Sequence, residues 1–176
     1  HDFTISFWYK PGSGGNTGGA YVMRVTSFAS NFADGATRTG EKIRLSFEGN
    51  TQMRLILHET KDDVREYLYW EFSTNPLDEN TWYHFVITRG TNGSELYFNG
   101  EKKEILSPPP FPNQVGPSGG NLNTVASRCL IGAYGLYAGS GKLDGYIDDL
   151  LISPIYITAT QVSYLYTNNY NAAFSN

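Results

Sequence analysis

The chain has little with which to do covalent or metal chemistry. It holds one cysteine, Cys129, so no internal disulfide and no cysteine-based zinc site can form. In "RCLIGAY" this residue reads as a small buried hydrophobe on a strand rather than a reactive thiol, and it leaves the redox compartment open. No run of about 18 apolar residues occurs, so no segment reads as a membrane-spanning helix. Charged residues make up only 17% of the 176, with a formal net charge of −4, which denies the chain the broad cationic surface of a nucleic-acid binder. The three histidines, His1, His58 and His84, have no Ser or Cys partner in a recognisable catalytic motif. The glycines of "GSGGNTGG" lead into a strand rather than a helix, so they do not form a phosphate loop.

Aromatics (15%) and glycine (19 residues) are abundant instead, a mixture that suits one all-β domain rich in turns. "DFTISFWY" alternates, with Phe3, Ile5 and Phe7 on one face. Residues 21–28 read as a strand. A meander follows, with Ile43, Leu45 and Phe47, then Met53, Leu55 and Leu57, then Leu68, Trp70 and Phe72 turned inward. In "TWYHFVITRGTNGSELYFNGE", Asn92-Gly93 tolerates the positive φ angles of a tight turn between two aromatic-rich runs, a strong hairpin signal. Trp82 and His84 read as core packing and a satisfied buried imidazole. Asn92-Gly93-Ser94 is also a glycosylation sequon, although its value as a turn explains it. Residues 106–123 hold five of the eight prolines and read as a long loop, because proline cannot donate to a ladder. Two strands, 128–134 and 145–153, come next. Thr158 and Gln161 then form a capping box, with Ile157 and Val162 as its staple, at the start of a helix presenting Val162, Leu165 and Tyr166 on one face. About ten strands and one short C-terminal helix predict a two-sheet β-sandwich.

"DFTISFWYKP", "TWYHFVITR…NGSELYFNGE", "LIGAY" and "GYIDDLLISPIYITATQVSYLY" together resemble the LamG-like, concanavalin A-like jelly-roll domains, in order and spacing across almost the whole chain. The resemblance implies two antiparallel sheets in a curved sandwich, often a structural Ca2+, and frequently a glycan-binding or adhesive role. Members usually open with a further strand carrying Asp-Gly before the Phe-Thr-Ile-Ser strand. The chain starting at His1 therefore reads as a portion of a larger secreted or surface protein of a cell or virion, missing part of the usual calcium site. Glycosidases on this fold use Glu-x-Asp-x-x-Glu, two carboxylates on one strand face. No such stretch exists here; Glu66 and Glu71 fall on opposite faces of one strand. The expectation is a domain that is not an enzyme.

Three candidate sites stand out. Asp148 shares parity with Leu150 and Ile152, which predicts an inward carboxylate, either hydrogen-bonded to a neighbouring loop or bound to calcium. On the meander's outer face, four-residue connectors predict the rows Lys42–His58–Arg65, Arg44–Ile56–Tyr67 and Ser46–Arg54–Tyr69. Tyr67, Tyr69, Arg54 and Arg65 there suit an acidic polysaccharide, tyrosines offering flat faces and guanidinium forks binding carboxylates or sulfates. Tyr134 and Tyr137 in "GAYGLYAGSGK" form a second, loop-based candidate. The expected partner is a glycan or, in the alternative reading of a structural or adhesive domain, other chains of a larger surface assembly.

Overall fold

The computed structural model describes residues 2–14, 19–26, 41–58, 65–106, 114–115, 128–133 and 141–173. Among them run β1 (Phe3–Pro11), β2 (Ala20–Thr26), β3 (Glu41–Phe47), β4 (Gln52–His58), β5 (Arg65–Glu71), β6 (Tyr83–Gly90), β7 (Gly93–Phe98), β8 (Glu101–Lys103), β9 (Gln114–Val115), β10 (Arg128–Ile131), β11 (Gly145–Ser153) and helix α1 (Ala159–Ala173). They form a five-stranded sheet, β11-β1-β6-β7-β8, and a six-stranded sheet, β10-β2-β3-β4-β5-β9. Among the described strands only β5 and β9 pair in parallel. This is the expected jelly-roll sandwich with two additions. Asn99 and Gly100, at φ 49° and 82°, turn β7 back into β8, as Asn-Gly does in tight hairpins. The proline-rich segment, read as loop throughout, contributes the two-residue β9.

Alternation places the core where the sequence predicts it. Phe3, Ile5 and Phe7 from β1, Leu45 and Phe47 from β3, Met53, Leu55 and Leu57 from β4, and Leu68 and Trp70 from β5 are buried between the sheets with Phe72. Phe47, Phe72 and Phe85 meet edge to face, at ring centroids 5.1–5.8 Å apart, the arrangement that aromatic quadrupoles favour. Glu66 is buried and Glu71 exposed, on opposite faces as read.

Helix α1 covers part of the outer face of the five-stranded sheet. The capping box is reciprocal: Thr158 N–H donates to Gln161 Oε1 at 2.8 Å and Gln161 N–H to Thr158 Oγ1 at 3.4 Å. Val162, Leu165 and Ile157 pack on Val86 and Tyr97, which is why Tyr97 is buried although it alternates with inward Leu96 and Phe98.

Three local expectations are corrected. Cys129 is exposed on β10, the outermost described strand of its sheet. Trp82 is 37% exposed, because it sits just before β6 rather than inside it. Asp148 is exposed, not inward, and the cause is a β-bulge. Ser6 pairs with Leu151 but Trp8 pairs with Asp148, so β11 uses one residue more than β1 over that stretch. Asp149 takes up the extra residue at φ 48° and donates its N–H to Asp148 Oδ1 at 2.9 Å. Leu150 and Ile147 therefore both pack against the core, and Asp148 between them is turned out.

His84 is buried as read, but only half satisfied. Its Nε2 lies 2.9 Å from Ser6 Oγ, while Nδ1 has no hydrogen-bond partner among the described residues. Burial pushes its pKa down to about 4. The imidazole stays neutral in the folded chain while the unfolded chain takes up a proton below about pH 6.5. Stability is therefore lost as pH falls from about 6.5 to 4, by about 3 kcal/mol if this group acts alone, and His84→Gln should flatten that limb of a denaturation-against-pH curve. The bulge is tested by melting variants. Asp149→Val should cost about 1–2 kcal/mol for a β-branched residue in the left-handed region, Asp149→Gly should not destabilise, and Asp148→Ala should stay within about 0.5 kcal/mol. A larger loss for Asp148→Ala than for Asp149→Val would contradict the outward placement.

Candidate functional site

The outer face of the six-stranded sheet is assembled by register, and that register is the one read from the connectors. Arg44 pairs with Ile56 and Ser46 with Arg54; Ile56 then pairs with Tyr67, Arg54 with Tyr69 and His58 with Arg65. Strand β2 extends the rows, Arg24 beside Arg44 and Tyr21 beside Ser46. The side chain of Arg65, together with Tyr134 and Tyr137, lies outside the described residues.

This face is less open than expected. Tyr21, Arg24, Arg44, Ser46, Ile56 and Tyr67 are all buried, Tyr69 is half-buried, and Arg54 keeps 15% of its side chain exposed. Tyr67 is thus a buried support rather than an open stacking surface. Alternation assigns a residue to a face but does not say whether that face meets solvent.

Around Arg54 the polar groups close into a network. Its Nη1 donates to Tyr67 Oη at 3.1 Å and Tyr69 Oη at 3.3 Å, and the two hydroxyls lie 3.0 Å apart. Its Nη2 is 2.6 Å from Glu48 Oε1, which also accepts from Ser46 Oγ at 3.0 Å. Burial works against the guanidinium charge, but Glu48 and the Tyr67 hydroxyl more than offset it and raise the Arg54 pKa. Burial, then the Tyr67 hydroxyl, pushes the Tyr69 phenol up as well. The result is a fixed set of donors beside a half-open aromatic ring. Among the described residues the cluster holds one carboxylate, Glu48, and Arg54 engages it.

Asp148 does not fit the metal role considered for it. It is exposed, and its Oδ1 is engaged by the Asp149 N–H. Among the described residues no three His, Cys, Asp or Glu side chains converge, so these residues supply no carboxylate cage for calcium. What sequence reading missed lies on the other sheet, where Trp8, Trp82 and Asp148 border one cleft. The available signal was the parity of Trp8 and Lys10, outward together on β1 beside inward Phe7 and Tyr9.

Similar architectures occur in solved structures. A botulinum neurotoxin serotype G binding domain aligns over 94% of this chain and 36% of its own, at TM-score 0.55 and 19% identity. A native heptameric SAP-like pentraxin from Limulus polyphemus aligns over 96% of this chain and 70% of its own, at 0.56 and 16%. The Ruminococcus gnavus IT-sialidase CBM40, solved bound to α2,3 sialyllactose, aligns over 93% and 82%, at 0.60 and 14%. At these identities the likeness shows the fold alone. No curated protein matches this chain in sequence. The sequence profile described as the concanavalin A-like lectin/glucanases superfamily matches residues 1–163, and with two sheets ordered as above the chain belongs to that superfamily.

Proposed function

We propose that this chain is a non-catalytic carbohydrate-binding domain of a secreted or surface-displayed protein, and that it holds an acidic polysaccharide at the open edge of the Arg54–Tyr69 cluster. The observation that carries the reading is the fixed guanidinium, tied to two tyrosine hydroxyls and Glu48 yet 15% exposed. A pre-organised fork beside an aromatic edge favours a ring bearing a carboxylate or sulfate. Glu48 already neutralises Arg54, so a single site is weak and useful affinity comes from repeats along a polymer. The sialyllactose-bound module among the fold neighbours is consistent with this class of ligand.

The alternative, a structural or adhesive domain contacting other chains, draws on one feature. Edge strand β11 and the segment after it leave Tyr146, Ile152 and Ile155 exposed, an apolar border suited to protein contact. Among the described residues no helix is long and apolar enough to cross a membrane.

Immobilised polygalacturonate and heparin test the leading reading. Retention should fall as salt rises, since exposed charges are screened within about 8–10 Å at physiological ionic strength. Arg54→Lys, which keeps the charge but loses the fork, and Tyr69→Ala should each weaken retention about tenfold. No retention at low salt, or a double variant that binds as the parent does, contradicts the site. Turnover of either polymer that disappears on substituting one Asp or Glu contradicts the non-catalytic assignment.

A further inference from the structure

The five-stranded sheet carries a second surface of opposite character. On its outer face Trp8 pairs with Asp148 on one side and His84 on the other, and Lys10 pairs with Tyr146 one row along. Trp82 stands at the end of that row, because Tyr83 beside it pairs with Tyr9. The Lys10 ammonium lies 5.2 Å from the Trp82 ring centroid and 4.7 Å from that of Tyr146. Between these rows lies a cleft of about 230 Å³ lined by Trp8, Trp82, Asp148 and Asp149. Two residues along a strand advance about 6.7 Å and neighbouring strands lie about 4.8 Å apart, so groups on adjacent rows and strands are spaced to contact one sugar ring.

The cleft is built and braced, not merely exposed. The Trp8 indole stacks on His84 at 4.9 Å and on Tyr166 of α1 at 5.9 Å. Tyr166 reaches that position by lying against Gly100, where a Cβ would sit 3.0 Å from its ring. The bulge at Asp149 completes the cleft by turning Asp148 out beside Trp8. Trp82 and Tyr146 are 37% and 62% exposed, and both aspartates are exposed.

This chemistry selects a ligand class. Ionised carboxylates accept hydrogen bonds and do not donate, so the ligand must bring donors, either hydroxyls or a cationic amine. Indole faces take flat apolar surfaces or cations. The demand for a cation is already met by Lys10 over Trp82 and Tyr146, and its charge repels a second one. An acidic ligand is disfavoured by Asp148 and Asp149. A hydroxylated ring with an apolar face remains. We propose that the Trp8–Trp82–Asp148 cleft is a binding site for neutral pyranosides, independent of the Arg54 surface on the opposite sheet.

An array of neutral hexasaccharides (β-glucan, mannan and galactan), followed by calorimetric titration of those captured, tests this. At least one should be captured, with the same affinity at low and high salt. Trp82→Ala and Asp148→Asn should each weaken it about tenfold, the loss of one anchor of a small site, and Trp82→Phe should recover part of the loss. Both residues are at the surface, so unfolding midpoints should hold, and retention on polygalacturonate should match the parent, which separates this site from the Arg54 surface. Capture of no neutral sugar by the parent, parental affinity in Trp82→Ala, or binding of trimethyl-lysine in place of sugar would overturn the proposal.

Discussion

Glu66 and Arg89 set the constraint within which the two sheets sit. Arg89 projects inward from β6 of one sheet and Glu66 from β5 of the other; neither side chain has any exposed surface, and they meet at 3.2 Å. Glu66 also accepts the Ser94 N–H at 3.3 Å, so β7 is tied to the same carboxylate. Removing either charge from water costs several kcal/mol, and only the partner and its hydrogen bonds offset that. Sliding one sheet against the other would strand two charges in an aromatic core. A purely apolar interface tolerates alternative packings more readily; this ion pair penalises them. With the sheets fixed, the identity of every outward row follows from strand register.

That dependence explains how much could be read from the sequence. Period-two patterning named the inward residues of β1, β3, β4 and β5, and the length of the Glu48–Thr51 connector was enough to place Arg54 opposite Ser46. The Thr158–Gln161 box was legible because a helix start is encoded within four residues. Failures occurred where a single residue breaks the period or a distant element decides exposure. Asp149 in the left-handed region reverses the parity of Asp148, and nothing in "GYIDDLLIS" announces the extra residue beyond an aspartate's tolerance for that conformation. The burial of Tyr67 and Arg44 and the exposure of Cys129 and Trp82 depend on what lies over each face and where each strand begins. Alternation carries neither fact. The Glu66–Arg89 pair was half legible: parity turned Glu66 inward, but its partner is 23 residues away on another sheet.

The two outer faces differ in ways that bear on recognition. On the six-stranded sheet the polar groups satisfy one another around Arg54, leaving a narrow polar opening. On the five-stranded sheet α1 covers part of the surface and leaves indoles and carboxylates beyond its Tyr166 edge. Both sets of side chains stand on strands or, for Trp82 and Glu48, one residue beyond a strand end, and strands hold binding groups more rigidly than loops do. The sandwich acts as a frame with chemically distinct surfaces on its opposite sides.

The indole N–H signals offer the most direct test, because the chain holds three tryptophans in two different settings. Trp70 is wholly buried, whereas Trp8 and Trp82 border the outer cleft. In heteronuclear NMR titrations, a neutral oligosaccharide should shift the Trp8 and Trp82 indole signals, and an acidic one the Arg54 Nε–H signal. Trp70 should stay still in both. Signals from all three tryptophans moving together, or none moving with either ligand, would contradict recognition by the outer faces of a rigid sandwich.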